Sequence, residues 1–313
     1  MATLRQAFTD IADSVRAQGV EGKMTPLEMP GKIQSMPVDE NLYEPFYIEA
    51  LSGDAVIKML NVSPPFRSYF VSSFDKETWT DVGEFTSAVT IPQGQKLYLK
   101  ARNENTSIGG NTPSNIKYKY FQNAASSSRV QVGGNIMSLL WNKDFYSPSK
   151  VLSTGRTFQA LFDSMTTLVS CSKLRLPSKV VPRCGYNNMF WGCSNLVNAF
   201  PSFPQWDNNA LYDASLGYMF WGCNLSRLPR FTGRVVPIYS QTNSSTFFRF
   251  ATGNANLNQV WYPGKLDYYN FGEWLTNCAS SGTIWCTGVV GNLNPSAVPS
   301  GWTLNTVPLE QVE

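Results

Sequence analysis

Histidine is absent from this chain. That removes the commonest general base near neutral pH and the commonest imidazole metal ligand. A carboxylate-based glycosidase survives the omission, but the balance shifts away from an enzyme. Charge is scarce as well. Asp, Glu, Lys and Arg supply 15% of 313 residues, against about a quarter in an average soluble domain. Ser, Thr, Asn, Gln and Gly must therefore cover much of the surface, which suits β proteins and extracellular particles. The net charge of +3 is too small to draw nucleic acid by phosphate neutralisation. None of the six cysteines stands in a CxxC pair, so zinc-ribbon spacing is missing. No phosphate-binding glycine loop and no nucleophile elbow occurs, and no cofactor is implied. No run approaches the roughly 20 apolar residues of a membrane span. Residues 1–6 show no basic-then-apolar signal region, so neither membrane insertion nor Sec export is expected.

What is present, twice, is one phrase. Gly185-Tyr186-Asn187-Asn188-Met189-Phe190-Trp191-Gly192-Cys193 is echoed by Gly217-Tyr218-Met219-Phe220-Trp221-Gly222-Cys223, with Phe190 and Phe220 30 positions apart. A period of about 20–50 residues is the signature of stacked units. Phe158-Gln159-Ala160-Leu161-Phe162 reads as a degenerate earlier copy, and Thr246-Phe247-Phe248-Arg249-Phe250 as a divergent later one. Proline-containing pieces such as Leu228-Pro229-Arg230-Phe231 separate the copies. Each unit is expected to be a short helix or helical turn followed by an extended segment, with Met-Phe facing inward. A terminal unit from about residue 271 is expected to cap the open end of the stack.

The first 38 residues differ from the rest. Leu4, Phe8, Ile11 and Val15 fall on one helical face, and Thr25-Pro26-Leu27-Glu28 signals a second short helix that carries Leu27 toward Ile33. So small a helical pair cannot bury its apolar stripe alone. It must dock on its own chain, on copies of itself or on a partner. Residues 39–135 hold short β-rich runs, among them Val56-Ile57-Lys58-Met59-Leu60 and Lys96-Leu97-Tyr98-Leu99-Lys100, separated by Gly, Pro, Asn and Asp. That spacing is the cue for a small immunoglobulin-like sandwich. The expected class is mainly β with short helices. Three parts follow in order: a helical attachment segment over 1–38, a sandwich over 39–135, and a repeat domain over 136–313.

The Tyr-x-x-Met-Phe-x-Gly-Cys-x-x-Leu phrase, with proline-rich strands between copies, resembles the BspA-like leucine-rich repeats found in proteins of gut Bacteroidetes and their phages. The closing Phe271-Gly272-Glu273-Trp274-Leu275 and Pro299-Ser300-Gly301-Trp302-Thr303 look like the usual end of such solenoids. The opening Leu4-Arg5-Gln6-Ala7-Phe8-Thr9-Asp10-Ile11 is similar to short N-terminal segments of phage fibres and appendages. The combination implies a virion protein, homotrimeric and non-enzymatic. Its N-terminus would bind other virion proteins, and its repeats would face a host glycan or protein. A bacterial repeat protein mediating protein–protein contact or host adhesion is the alternative.

Two tryptophans sharpen the question. Trp191 and Trp221 each follow the inward phenylalanine of equivalent copies. If the Phe is buried, the next side chain turns toward the rim. With Tyr218 they form either a contact strip for receptor or subunit, or packing beneath the neighbouring unit. Cys193 and Cys223 sit at equivalent places and are expected to be unbridged core thiols. Asp207, Asp213, Asp267 and Glu273 lie among aromatics. Nothing in the sequence fixes the separation that a glycosidase pair requires.

Overall fold

The computed structural model describes residues 39–61, 68–105, 107–108, 119–204, 211–212, 214–231, 249–263, 275–287 and 298–307. The expected attachment helices, with Leu4, Phe8, Ile11, Val15, Leu27 and Ile33, lie outside the described residues, as do Asp207, Asp213, Asp267 and Glu273. The described chain is mainly β. A single helical turn, α1 (Glu40–Tyr43), precedes twelve strands. The described residues from Asn41 onward belong to one compact unit.

Strands form where apolar and polar residues alternate, and the alternation decides which face is dry. In β1 (Tyr47–Ser52), Ile48 and Ala50 are buried in the core, whereas Tyr47 and Glu49 take the other face. β1 pairs antiparallel with β6 (Lys96–Ala101) and with β8 (Arg129–Asn135). β3 (Phe70–Ser73), β4 (Thr80–Gly83) and β9 (Leu168–Arg175) complete a six-stranded sheet in the order β4-β3-β6-β1-β8-β9. A three-stranded sheet holds β5 (Val89–Ile91), β2 (Ala55–Asn61) and β7 (Lys119–Asn123), in the order β5-β2-β7. Both sheets send side chains into one core: Ile48, Leu97, Leu99, Val130 and Val132 from the first, Ile57, Met59, Ile91 and Phe121 from the second. Each large apolar side chain so buried is worth about 1.5–3 kcal/mol.

The strand β9 joins this sandwich to the repeats. It pairs parallel with β8, so residues on either side of the expected boundary at 135/136 share one sheet. They also share one core. Phe46 stacks on Phe121 at 5.5 Å, Phe121 on Phe162 at 5.6 Å, Phe162 on Phe190 at 5.2 Å and Phe190 on Phe220 at 5.3 Å, and Phe220 meets Phe250 edge-on at 5.4 Å. One aromatic column thus runs from the sheets through successive coils. The repeat spacing reads out directly as ring stacking.

The coils correct one expectation. The Met-Phe-Trp-Gly-Cys phrases form no helix; they form a ribbon of overlapping turns. The amides of Asn187, Met189, Trp191 and Cys193 donate to the carbonyls three residues back, at Cys184, Tyr186, Asn188 and Phe190. The intervening amides of Tyr186, Asn188, Phe190 and Gly192 donate instead to Ser215, Gly217, Met219 and Trp221 of the next coil. A helix would spend every interior amide on its own segment. Here half of them tie coil to coil, which satisfies the buried backbone and fixes the register. The ribbon puts every fourth residue at positive φ: Cys184, Asn188 and Gly192 in one coil, Ala214, Tyr218 and Gly222 in the next. Each non-glycine in that region costs about 1–2 kcal/mol. The third place of the motif is Gly192, Gly222 and Gly253 in successive coils, where no such cost arises.

The cysteines are free where described: Cys171, Cys184, Cys193, Cys223 and Cys278. Two of them do more than fill space. The Cys193 thiol donates to the Phe162 carbonyl (3.0 Å), and the Cys223 thiol donates to the Phe190 carbonyl (3.1 Å). One coil later, Asn254 Nδ2 makes the equivalent bond to the Phe220 carbonyl at 2.7 Å. A side-chain donor caps the core phenylalanine of the preceding coil at each step. The leucines that close the turns, Leu168, Leu196, Leu225 and Leu257, are all fully buried.

Beyond the ribbons, β10 (Gln259–Pro263), β11 (Gly282–Thr287) and β12 (Trp302–Val307) form a parallel three-stranded sheet. Gln259 bridges back to Arg227, so these strands extend the stack.

Candidate binding surface

The ribbon decides where the motif's tryptophans go. Because turns succeed one another every two residues, Met189 and Phe190 point inward and are fully buried, and the next residue emerges. Trp191 is 38% exposed, an uncommon state for so large an apolar side chain. Trp221, its equivalent, is half-buried and lies 5.8 Å from Trp191 at a 48° tilt. Tyr218 stacks on Trp221 at 5.2 Å, and the Arg249 guanidinium sits 5.9 Å from the same indole. A Cβ added to Gly253 would come within 3.4 Å of Trp221 Cδ1, so the next coil's glycine forms part of the seat of that indole.

All three tryptophan-motif candidates therefore meet on one rim. Trp191 supplies the open aromatic face, Trp221 is held from several sides, and Tyr218 braces it. Ser164, whose amide donates to the Trp191 carbonyl, and Asp163, which accepts from the Ser164 hydroxyl, sit one coil earlier. Asn188 lies in the same ribbon, but its Oδ1 is buried, without a hydrogen-bond partner among the described residues, and is closed to a ligand. An aromatic face flanked by hydroxyl, carboxylate and guanidinium groups can stack on a sugar ring and hydrogen-bond its hydroxyls, or anchor a protein loop.

A second aromatic group escapes a search for repeats. Trp261 and Trp285 occupy paired positions on β10 and β11 and stack at 5.2 Å with 14° between planes. The Arg230 guanidinium lies 4.7 Å over Trp261. The available signal was the shared pattern of Gln259-Val260-Trp261 and Thr283-Ile284-Trp285: polar, β-branched, tryptophan.

On the six-stranded sheet, Glu44 gathers Tyr98 (3.0 Å), Lys76 (3.5 Å) and Lys96 (3.5 Å), and Lys96 also covers the Tyr47 ring at 4.1 Å. Burial pushes the Tyr98 phenol well above its ordinary pKa, and the hydrogen bond to Glu44 adds to the rise. Tyr47 is raised as well, first by burial and then by Glu44 and Glu49. These phenols stay neutral across the physiological range: Tyr98 packs and donates to Glu44, while Tyr47, whose buried hydroxyl has no hydrogen-bond partner among the described residues, acts by packing.

Among the described residues, no group of three His, Cys, Asp or Glu side chains is placed to hold a metal ion. No helix among them is long and apolar enough to cross a membrane. No protein-family model, no curated protein and no solved structure matches this chain.

Proposed function

We propose that this protein is a non-enzymatic virion component, a phage fibre or appendage that presents a binding surface to the host. The observation that carries the reading is the half-open aromatic rim of Trp191, Trp221 and Tyr218 on a rigidly stacked scaffold. In this reading the stack is a short BspA-like leucine-rich-repeat solenoid, and the sandwich of residues 39–135 is its immunoglobulin-like neck. Residues 1–38 bind the particle and join the chains as a homotrimer through Leu4, Phe8, Ile11, Val15, Leu27 and Ile33. The rim meets a host surface glycan or protein. The protein is assembled in the host cytoplasm and carried on the virion, without nucleic-acid binding or membrane insertion.

The low charge supports this, since a neutral amide- and hydroxyl-rich surface recognises sugars more readily than phosphates. The test is particle association. The full chain should copurify with intact particles, and a chain lacking residues 1–38 should be absent from them while keeping its β circular-dichroism spectrum. Equal copurification of the truncated chain would refute the anchor. Release of reducing sugars from host polysaccharide by the pure protein would refute the non-enzymatic role.

A further inference from the structure

The face of the parallel strands differs in charge from the tryptophan rim, and its arginines are the reason. Arg227 pairs with Gln259, Gln259 with Thr283 and Thr283 with Thr303, which makes one outward row across four successive rungs. Arg227, Gln259 and Thr303 are exposed and Thr283 is half-buried. The inward residues between the rows, Val260 and Ile284, are fully buried. Beside the polar row runs a planar one: Arg230, Trp261, Trp285 and Asn305.

Arg230 is the informative member. Its guanidinium carbon lies 4.7 Å from the centre of the Trp261 ring, a cation–π contact that places the group at the indole and can leave N–H donors for a ligand. Neither Arg230 nor Arg227 forms an ion pair with any described residue. A guanidinium held at an indole, with no ion pair among the described residues, is a preorganised fork for a carboxylate. The neighbouring hydroxyl and amide row and the indole edges match the rest of an acidic sugar: hydroxyls to Gln259 and Thr283, C–H surface to Trp261 and Trp285.

We infer that this strand face is a second glycan-binding site, selective for an extended acidic polysaccharide that carries carboxylates, with Arg230 as the principal carboxylate contact and Arg227 beside it. The inference rests on the proposed glycan-binding role and adds a charge class to it. It names a surface separate from the Trp191 rim.

The test is calorimetric titration of the full chain, at low ionic strength, with a β-1,4-linked mannuronate tetramer and with the uncharged β-1,4-mannotetraose. One fork between guanidinium and carboxylate should make the acidic tetramer bind about tenfold more tightly. Arg230→Ala should abolish that difference. Arg230→Lys should reduce it, because an ammonium does not form the fork. The backbone bonds of Arg230, to Pro201 and from Phe203, do not depend on its side chain, so the variants should melt like the wild type. Equal affinity for the two tetramers in the wild-type protein, no binding of the mannuronate tetramer, or wild-type binding by Arg230→Ala would each overturn the inference. If host attachment that depends on Trp191 persists through any of those results, the acidic site alone is refuted and the broader function stands.

Discussion

Replacing Phe190 by alanine tests the stacked column at its centre. The ring is fully buried. It lies between Phe162 at 5.2 Å and 10° and Phe220 at 5.3 Å and 0°, so both its faces are covered by other rings. Truncating a buried phenylalanine costs about 3–5 kcal/mol through lost transfer energy and the cavity left behind. Two lost aromatic contacts, worth about 0.5–1.5 kcal/mol each, place this case at the upper end of that range. Domains are typically stable by about 5–15 kcal/mol, so the variant should sit near the edge of folding. Phe190→Leu keeps most of the volume and should cost about 2 kcal/mol. The neighbouring residue is the control. Trp191 is larger but partly exposed, and Trp191→Ala should cost about 1–2 kcal/mol, well under half the Phe190→Ala cost. Urea unfolding followed by far-ultraviolet circular dichroism reads all three as midpoint shifts. Comparable shifts for Phe190→Ala and Trp191→Ala would refute the assignment of inward and outward faces.

Three further outcomes follow from the same geometry. Burial pushes the Cys278 thiol up to about 11 and the Cys171 thiol up to about 12, against an ordinary value of 9.0. The folded state therefore holds protons that the unfolded state releases, so stability should be level below pH 8 and fall as pH rises from about 9 toward 12; the check is the urea midpoint against pH, and a rise above pH 9 would contradict it. Native protein should react with Ellman's reagent at none of the described buried cysteines until it is unfolded, because the thiolate is the nucleophile. Gly134 has φ +74, and a Cβ there would stand 2.1 Å from the Pro45 carbonyl oxygen, which is backbone and has no rotamer to yield; Gly134→Ala should abolish soluble expression or lower stability by several kcal/mol, about 3 or more.

The parts legible in the sequence are those written in local alternation or in repeats. Lys96-Leu97-Tyr98-Leu99-Lys100 announces β6, and Val89-Thr90-Ile91 coincides with β5. The 28- and 30-residue spacings of Phe162, Phe190 and Phe220 give the column directly. β8 was harder to read, because Gly133 and Gly134 interrupt its pattern. Gly133 is needed there, since a Cβ would lie 2.4 Å from the Tyr47 ring on the paired strand. The ribbon was illegible for a different reason. Met-Phe-Trp suits a helix locally, and the amides that decide the matter bond to residues about 30 positions away. Of the two places that the sequence leaves open for Trp191, the rim and the underside of the next unit, the turn ribbon gives it a partly exposed position beside Trp221. The Arg230–Trp261–Trp285 row depends on strand register across coils, which no single segment encodes.

The central claim is that the stacked coils are a scaffold and that the tryptophan rim is what they display. Attachment of the purified, labelled protein to host cells measures it most directly, with wild type compared against Trp191→Ala, Trp221→Ala. The account predicts that the double variant keeps its circular-dichroism spectrum and its cooperative unfolding while attachment falls at least about tenfold, the loss expected for removing a central aromatic anchor. Undiminished attachment by a folded double variant would contradict it, and so would collapse of the fold, which would make these indoles part of the core.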